Sequence, residues 1–85
     1  MDSTRQRRLL SLVARAWRQD NERLFHGALT APSFSLNTQK HQLGSWDPER
    51  RMISLSAELF EGPWFEVVEV LRHEMAHQYV SEALK

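Results

Sequence analysis

The chain predicts an α+β fold, and three observations carry that prediction. Apolar residues recur at helical spacing up to about residue 25, and again from Trp64 onward. Between these stretches, short segments alternate apolar and polar residues, the period of a half-buried strand. Turn-forming residues punctuate the changes of period. The expected architecture is a long N-terminal helix, a small, mainly antiparallel three-stranded sheet, a short helical turn and a C-terminal helix. Both long helices are expected on one side of the sheet, and the pattern leaves the strand order open.

Residues 4–25 read as the first helix. Leu9, Val13, Ala16/Trp17, Asp20 and Leu24 form one stripe, interrupted by Asp20, while Arg8, Arg15, Arg18 and Glu22 fall on the opposite, solvated face. Gly27 sits where a C-terminal cap belongs, because glycine adopts the left-handed conformation without a Cβ penalty. Pro32 confirms the break. "SFSLN" (33–37) reads as a strand, followed by a hairpin joining 42–46 to 51–55 through the turn chemistry of "DPER". Gly44 inside a strand signals a bulge or a close backbone approach. "SAELFEG" (56–62) reads as a short helical turn ending at Gly62, and Pro63 opens the next helix from a first-turn position. Trp64, Val67/Val68, Leu71, Met75 and Tyr79 form that helix's apolar stripe, and the pattern runs helically to the last residue. Trp17, Trp64 and Phe65 are expected in the core, and Trp46 as well.

The chain has 85 residues, the size of one small domain. A chain this short buries only about 60–65% of its unfolded surface, so a metal or a partner would add usefully to its stability. No run approaches the ~20 apolar residues of a membrane span, and Arg15 and Arg18 interrupt any signal-peptide core. The absence of cysteine excludes disulfides and thiolate metal sites, and a cytoplasmic location is expected. Formal net charge is zero, which argues against a strong general attraction to nucleic acid. The charge is unevenly spread, however. Residues 1–25 carry six arginines against Asp2, Asp20 and Glu22, a net of +3, whereas residues 56–80 carry five glutamates against Arg72, a net of −4. That asymmetry suits either a binding face or a basic helix lying beside an acidic one.

The stretch "RHEMAHQYV" carries the chemistry. Residues four apart on a helix share a face, about 6 Å apart along the axis, so His73 and His77 can direct ring nitrogens at one ion. Zn–N bonds of ~2.0–2.1 Å suit that spacing. Glu74 lies about 100° around the helix from His73. Its carboxylate is therefore beside the metal, placed to take a proton from a zinc-bound water whose pKa falls to ~7. This is the logic of the zinc-peptidase H-E-x-x-H helix. The plain alternative is a surface helix with two histidines and a solvated glutamate.

The run "ERLFHGALTAPSFSLN", then "LGSWDPERRMISLS", then "LFEGPWFEVVEVLRHEMAHQYV" resembles the SprT-like (Spartan-like) zinc metallopeptidase family over roughly residues 17–80. The "LF-x-G-x-L" bend, the "LG-x-W" strand and the metal helix stand in the family's order. The resemblance implies that His73 and His77 are zinc ligands, that Glu74 is the general base, and that the substrate is a protein. The best-known eukaryotic relatives are DNA-dependent and digest proteins crosslinked to DNA, a property that rests partly on regions outside this segment.

The chain departs from that pattern in one respect. Family members place a third zinc ligand, a histidine, well downstream of the metal helix, and Lys85 comes before such a position. His26, near a helix end, and His41, in a strand or turn, are not expected to replace it. We therefore read residues 1–85 as one SprT-like domain, truncated at its C-terminus, metal-free or weakly metallated, and weakly active as it stands. A ligand from a neighbouring chain is one route to a complete site. Arg5, Arg7 and Arg8 offer phosphate contacts to DNA, but three arginines suit a solubilising N-terminal turn better. Glu66 and Glu69 read as solvated. The leading function is a zinc-dependent endopeptidase in which Glu74 activates water. The alternative is a non-catalytic protein- or DNA-binding module that retains the fold.

Overall fold

Helix α1 (Ser3–Leu24) starts where Asp2 turns its carboxylate onto the helix end, accepting from the amides of Thr4 (2.9 Å) and Arg5 (3.0 Å). The computed structural model describes residues 2–38 and 41–84. After α1 come β1 (Ser33–Asn37), β2 (Gly44–Asp47) and β3 (Met52–Ser56), then a 3₁₀ turn (Ala57–Glu61) and helix α2 (Trp64–Glu82). The fold is α+β, as expected. Among the described residues, no helix is long and apolar enough to cross a membrane.

At the end of α1, His26 (φ 55°) and Gly27 (φ 73°) are both left-handed, and the Gly27 amide turns back onto the Asn21 carbonyl at 2.8 Å. The side chain of Asn21 then fixes the exit. It donates to the carbonyl of Leu29 and accepts from the amide of the same residue.

The sheet is mixed, not mainly antiparallel. Its order is β1-β3-β2, with β1 parallel to β3 and β2 antiparallel to β3. The chain runs up β1, down β2 and up β3. Had sequential strands been neighbours, every pair would be antiparallel. Instead β3 takes the middle, where its Ile53 and Leu55 are the most deeply buried apolar residues of the sheet. The expected 2–3 hairpin is present, shifted by one or two residues, and Asp47 caps its turn by accepting from the amides of Glu49 and Arg50.

Register sorts the two faces of the sheet. Trp46, Ile53 and Phe34 form one row and Gly44, Leu55 and Leu36 another, while Ser45, Ser54 and Ser35 lie between them and face the opposite way. The serine row is joined by a hydroxyl–hydroxyl bond from Ser35 to Ser54. The apolar rows meet the helices, α1 over β1 and α2 over β2 and β3. Val13 and Trp17 of α1 and Val67, Leu71 and Met75 of α2 complete the core. Each such buried side chain contributes about 1.5–3 kcal/mol.

Several expectations about the apolar stripes need correction. Trp64 is 43% exposed and Phe65 61% exposed, so neither belongs to the core. They occupy the first turn of α2, ahead of the part covered by the sheet, and Trp64 packs instead on Phe60. Leu24 is likewise exposed, at the end of α1. Pro63 is the cap residue with an extended backbone (ψ 146°), so the helix begins one residue later, at Trp64. The helix also ends before the last residue. The Leu84 amide folds back on the Tyr79 carbonyl, and α2 stops at Glu82. Lys85 lies outside the described residues.

The two helices do lie side by side, but their ion pair runs against the bulk charge. Asp20 of the basic segment receives two bonds from Arg72 of the acidic one, at 2.9 and 3.1 Å. Those bonds raise the Arg72 pKa above the usual arginine value. Deeper in the interface, Gln78 is fully buried. Its carbonyl accepts from the Trp17 indole N–H (3.1 Å), and its amide donates to the Thr30 carbonyl and to Glu82. Glu82 in turn pairs with Arg51, which reaches on to the carbonyls of Thr30 and Ala31. Removing Gln78 leaves the buried Trp17 indole N–H without its acceptor, whereas the Thr30 carbonyl keeps its bond from Arg51. Gln78→Ala should therefore cost about 2–4 kcal/mol in urea unfolding. In a Trp17→Phe background, which lacks that donor, the cost should shrink.

Candidate metal centre

Helix α2 can bury only one face, and its sequence gives a weak apolar stripe. Val67, Leu71 and Met75 turn one side to the sheet, and Glu74 and Gln78 are buried with them. That rotation leaves His73 and His77 exposed, one turn apart, on the flank of α2 beside strand β2. Their Nε2 atoms stand 3.3 Å apart with the rings steeply inclined, at 78°. Glu74 is only 6% exposed, yet it lines the adjoining clefts.

Strand β2 forms the facing wall. One cleft of ≈ 480 Å³ lies between the 41–44 segment and Glu69, Val70, His73 and Glu74. A second, also ≈ 480 Å³, continues past Ser45, Trp46 and Pro48 on one side and His77, Val80 and Ser81 on the other. Gln42, Gly44, His73 and Glu74 line both, so the two form one groove along β2 with the histidine–glutamate group at its middle. β2 is an edge strand whose outer side pairs with no other strand among the described residues.

The spacing of the two imidazoles can be tested against zinc. Two nitrogens each ~2.0–2.1 Å from one tetrahedral zinc stand about 3.3–3.4 Å from each other. The 3.3 Å separation, also a hydrogen-bonding distance between the two rings, matches that spacing. The pair therefore fits as two ligands. Among the described residues, no group of three or more His, Cys, Asp or Glu side chains is arranged to hold a metal ion. His26 is exposed at the end of α1 and lines neither cleft. His41 is in a turn and forms part of the cleft wall opposite His73.

The other side chains singled out by sequence take clear positions. Trp46 is half-buried against the core, and its indole N–H has no acceptor among the described residues. Glu66 is exposed on the first turn of α2, and Glu69 stands at the rim of the first cleft. Arg5, Arg7 and Arg8 are exposed near the start of α1. Val70 shares the helix stripe of His73 and His77 in the sequence, but Gln42, which lines both clefts, carries no motif. Gln78, which lines neither cleft, reads as an ordinary polar helix residue although it is buried behind the site. Its position five residues after His73, on the buried side of the helix, was the available signal.

No curated protein and no solved structure matches the chain significantly. Residues 14–84 match the model of the SprT-like family, and that match takes in the second half of α1, all three strands and the whole of α2. The chain is a member of the SprT-like family.

Proposed function

We propose that this domain is a zinc-dependent endopeptidase core. The observation that carries the reading is the 3.3 Å separation of His73 Nε2 and His77 Nε2, the spacing of two ligands on one tetrahedral zinc. Membership of a family associated with metallopeptidases supports it. When bound, zinc supplies Lewis acidity that makes water a nucleophile near neutral pH and polarises a carbonyl.

The chain's own residues would divide the remaining work. His73 and His77 hold the ion through Nε2. Glu74, one residue on, takes the proton of the attacking water on its carboxylate and returns it to the departing amine, which balances the hydrolysis. The groove along β2 continues on both sides of Glu74. That suits a bond within a chain better than one at its end. An extended protein substrate would add to the outer edge of β2, which pairs with no strand among the described residues, through main-chain hydrogen bonds.

A second reading keeps the fold without the catalysis: a binding module for protein or DNA. It draws on the lack of a three-ligand group among the described residues. Two measurements separate the readings. In calorimetric titration, the 85-residue chain should bind zinc more weakly than a site with three protein ligands, and His73→Ala or His77→Ala should lower that affinity at least about tenfold. Tight binding that survives both substitutions would remove the pair from the site. For the zinc-loaded protein, Glu74→Gln should lower kcat for casein cleavage by about 10²–10⁴-fold while leaving zinc affinity nearly unchanged. Equal cleavage by the variant would remove Glu74 from the mechanism.

A further inference from the structure

Gly44 has an ordinary strand backbone, since Gly27 is the one glycine with a positive φ among the described residues. No dihedral demands a glycine there; the neighbours do. Gly44 lies opposite Leu55, on the row of the sheet that faces the helices. A Cβ at this position would stand 2.7 Å from Val70 Cγ1, 3.1 Å from Glu74 Oε2 and 3.2 Å from Glu74 Cγ. Contacts below 3.0 Å essentially never occur for real Cβ atoms, and those of 3.0–3.4 Å require the neighbour to yield.

From this we infer that Gly44 is a positioning residue for Glu74, its bare Cα forming the surface that sets the carboxylate. The inference rests on the reading of Glu74 as general base. A glutamate has three rotatable side-chain bonds, and in an open cleft its carboxylate samples many positions. Here Cγ and Oε2 both lie against β2, so the strand removes much of that freedom. General-base transfer needs the carboxylate within about 2.6–3.2 Å of the proton's owner. A misplacement near 1 Å can cost on the order of 10²-fold. The added methyl group of Gly44→Ala would press on the two atoms that determine where the carboxylate lies.

Packing and positioning can be separated, because the hardest clash is with Val70 and the functional one with Glu74. Val70→Ala removes the Cγ1 atom at 2.7 Å and leaves both Glu74 contacts in place. The experiment compares Gly44→Ala, Val70→Ala and the double variant, reading stability, zinc affinity, kcat and KM. It also reads the carbon-13 resonance of the Glu74 carboxyl in the metal-free chain at fixed pH. Gly44→Ala alone should lose both stability and kcat. The double variant should regain the stability of Val70→Ala and bind zinc equally well. Its kcat should still fall about 10–100-fold below that of Val70→Ala with KM little changed, and its Glu74 resonance should move. If kcat returns together with stability, Gly44 serves packing alone and the inference is overturned; an unmoved Glu74 resonance overturns it as well. The resonance needs no enzymatic activity. A shifted resonance with no Glu74-dependent cleavage in the unaltered protein would therefore uphold the contact and overturn the hydrolase reading instead.

Discussion

The rotation of α2 about its own axis is the constraint on which the rest of the structure depends. A helix with a strong apolar stripe would set that rotation by hydrophobic burial alone. This one has Val67, Leu71 and Met75 in the core, but also buries Glu74 and Gln78, and it exposes Trp64, Phe65 and Val80. Apolar burial is nondirectional and tolerates some slippage. The bond from the Trp17 indole N–H to the Gln78 carbonyl does not, because a small turn of the helix would leave that buried donor unmatched. Arg72 on Asp20 and Arg51 on Glu82 tie the same helix at two further points. Both ion pairs are partly exposed, so they add little energy, and their contribution is mainly one of register.

Once that rotation is set, the site follows. His73 and His77 emerge together on the flank facing β2, Glu74 lies beneath them, and Gly44 closes from the opposite side. The histidines stay open to solvent while the carboxylate is nearly covered. On the proposed reading, ligands must be reachable by the ion, whereas a proton acceptor would benefit from being held still. The mixed sheet contributes by putting β3 in the middle, which leaves β2 at an edge with an open side along the groove.

Much of this was legible in the sequence, for identifiable reasons. The helices, the 33–37 strand and the hairpin announce themselves through period and punctuation, and a glycine inside a strand signals at Gly44 either a bulge or a close approach, of which the structure shows the second. The i, i+4 spacing of His73 and His77 puts their rings on one face of α2, one turn apart. The parallel pairing of β1 with β3 was not legible, since alternation records which face is buried and not which strand is the neighbour. Trp64 and Phe65 were misplaced because helical spacing says nothing of where the sheet's cover ends. Gln78 and Asn21 were missed because a buried amide looks, in sequence, like any polar residue; only the tertiary partners reveal it.

The most direct test of the account follows the imidazole nitrogens of the four histidines by nitrogen-15 magnetic resonance as zinc is added. The Nε2 resonances of His73 and His77 should move together, at the same zinc concentration, while those of His26 stay in place. Zinc that leaves the His73 and His77 resonances unmoved, or that moves one of them without the other, would contradict the account.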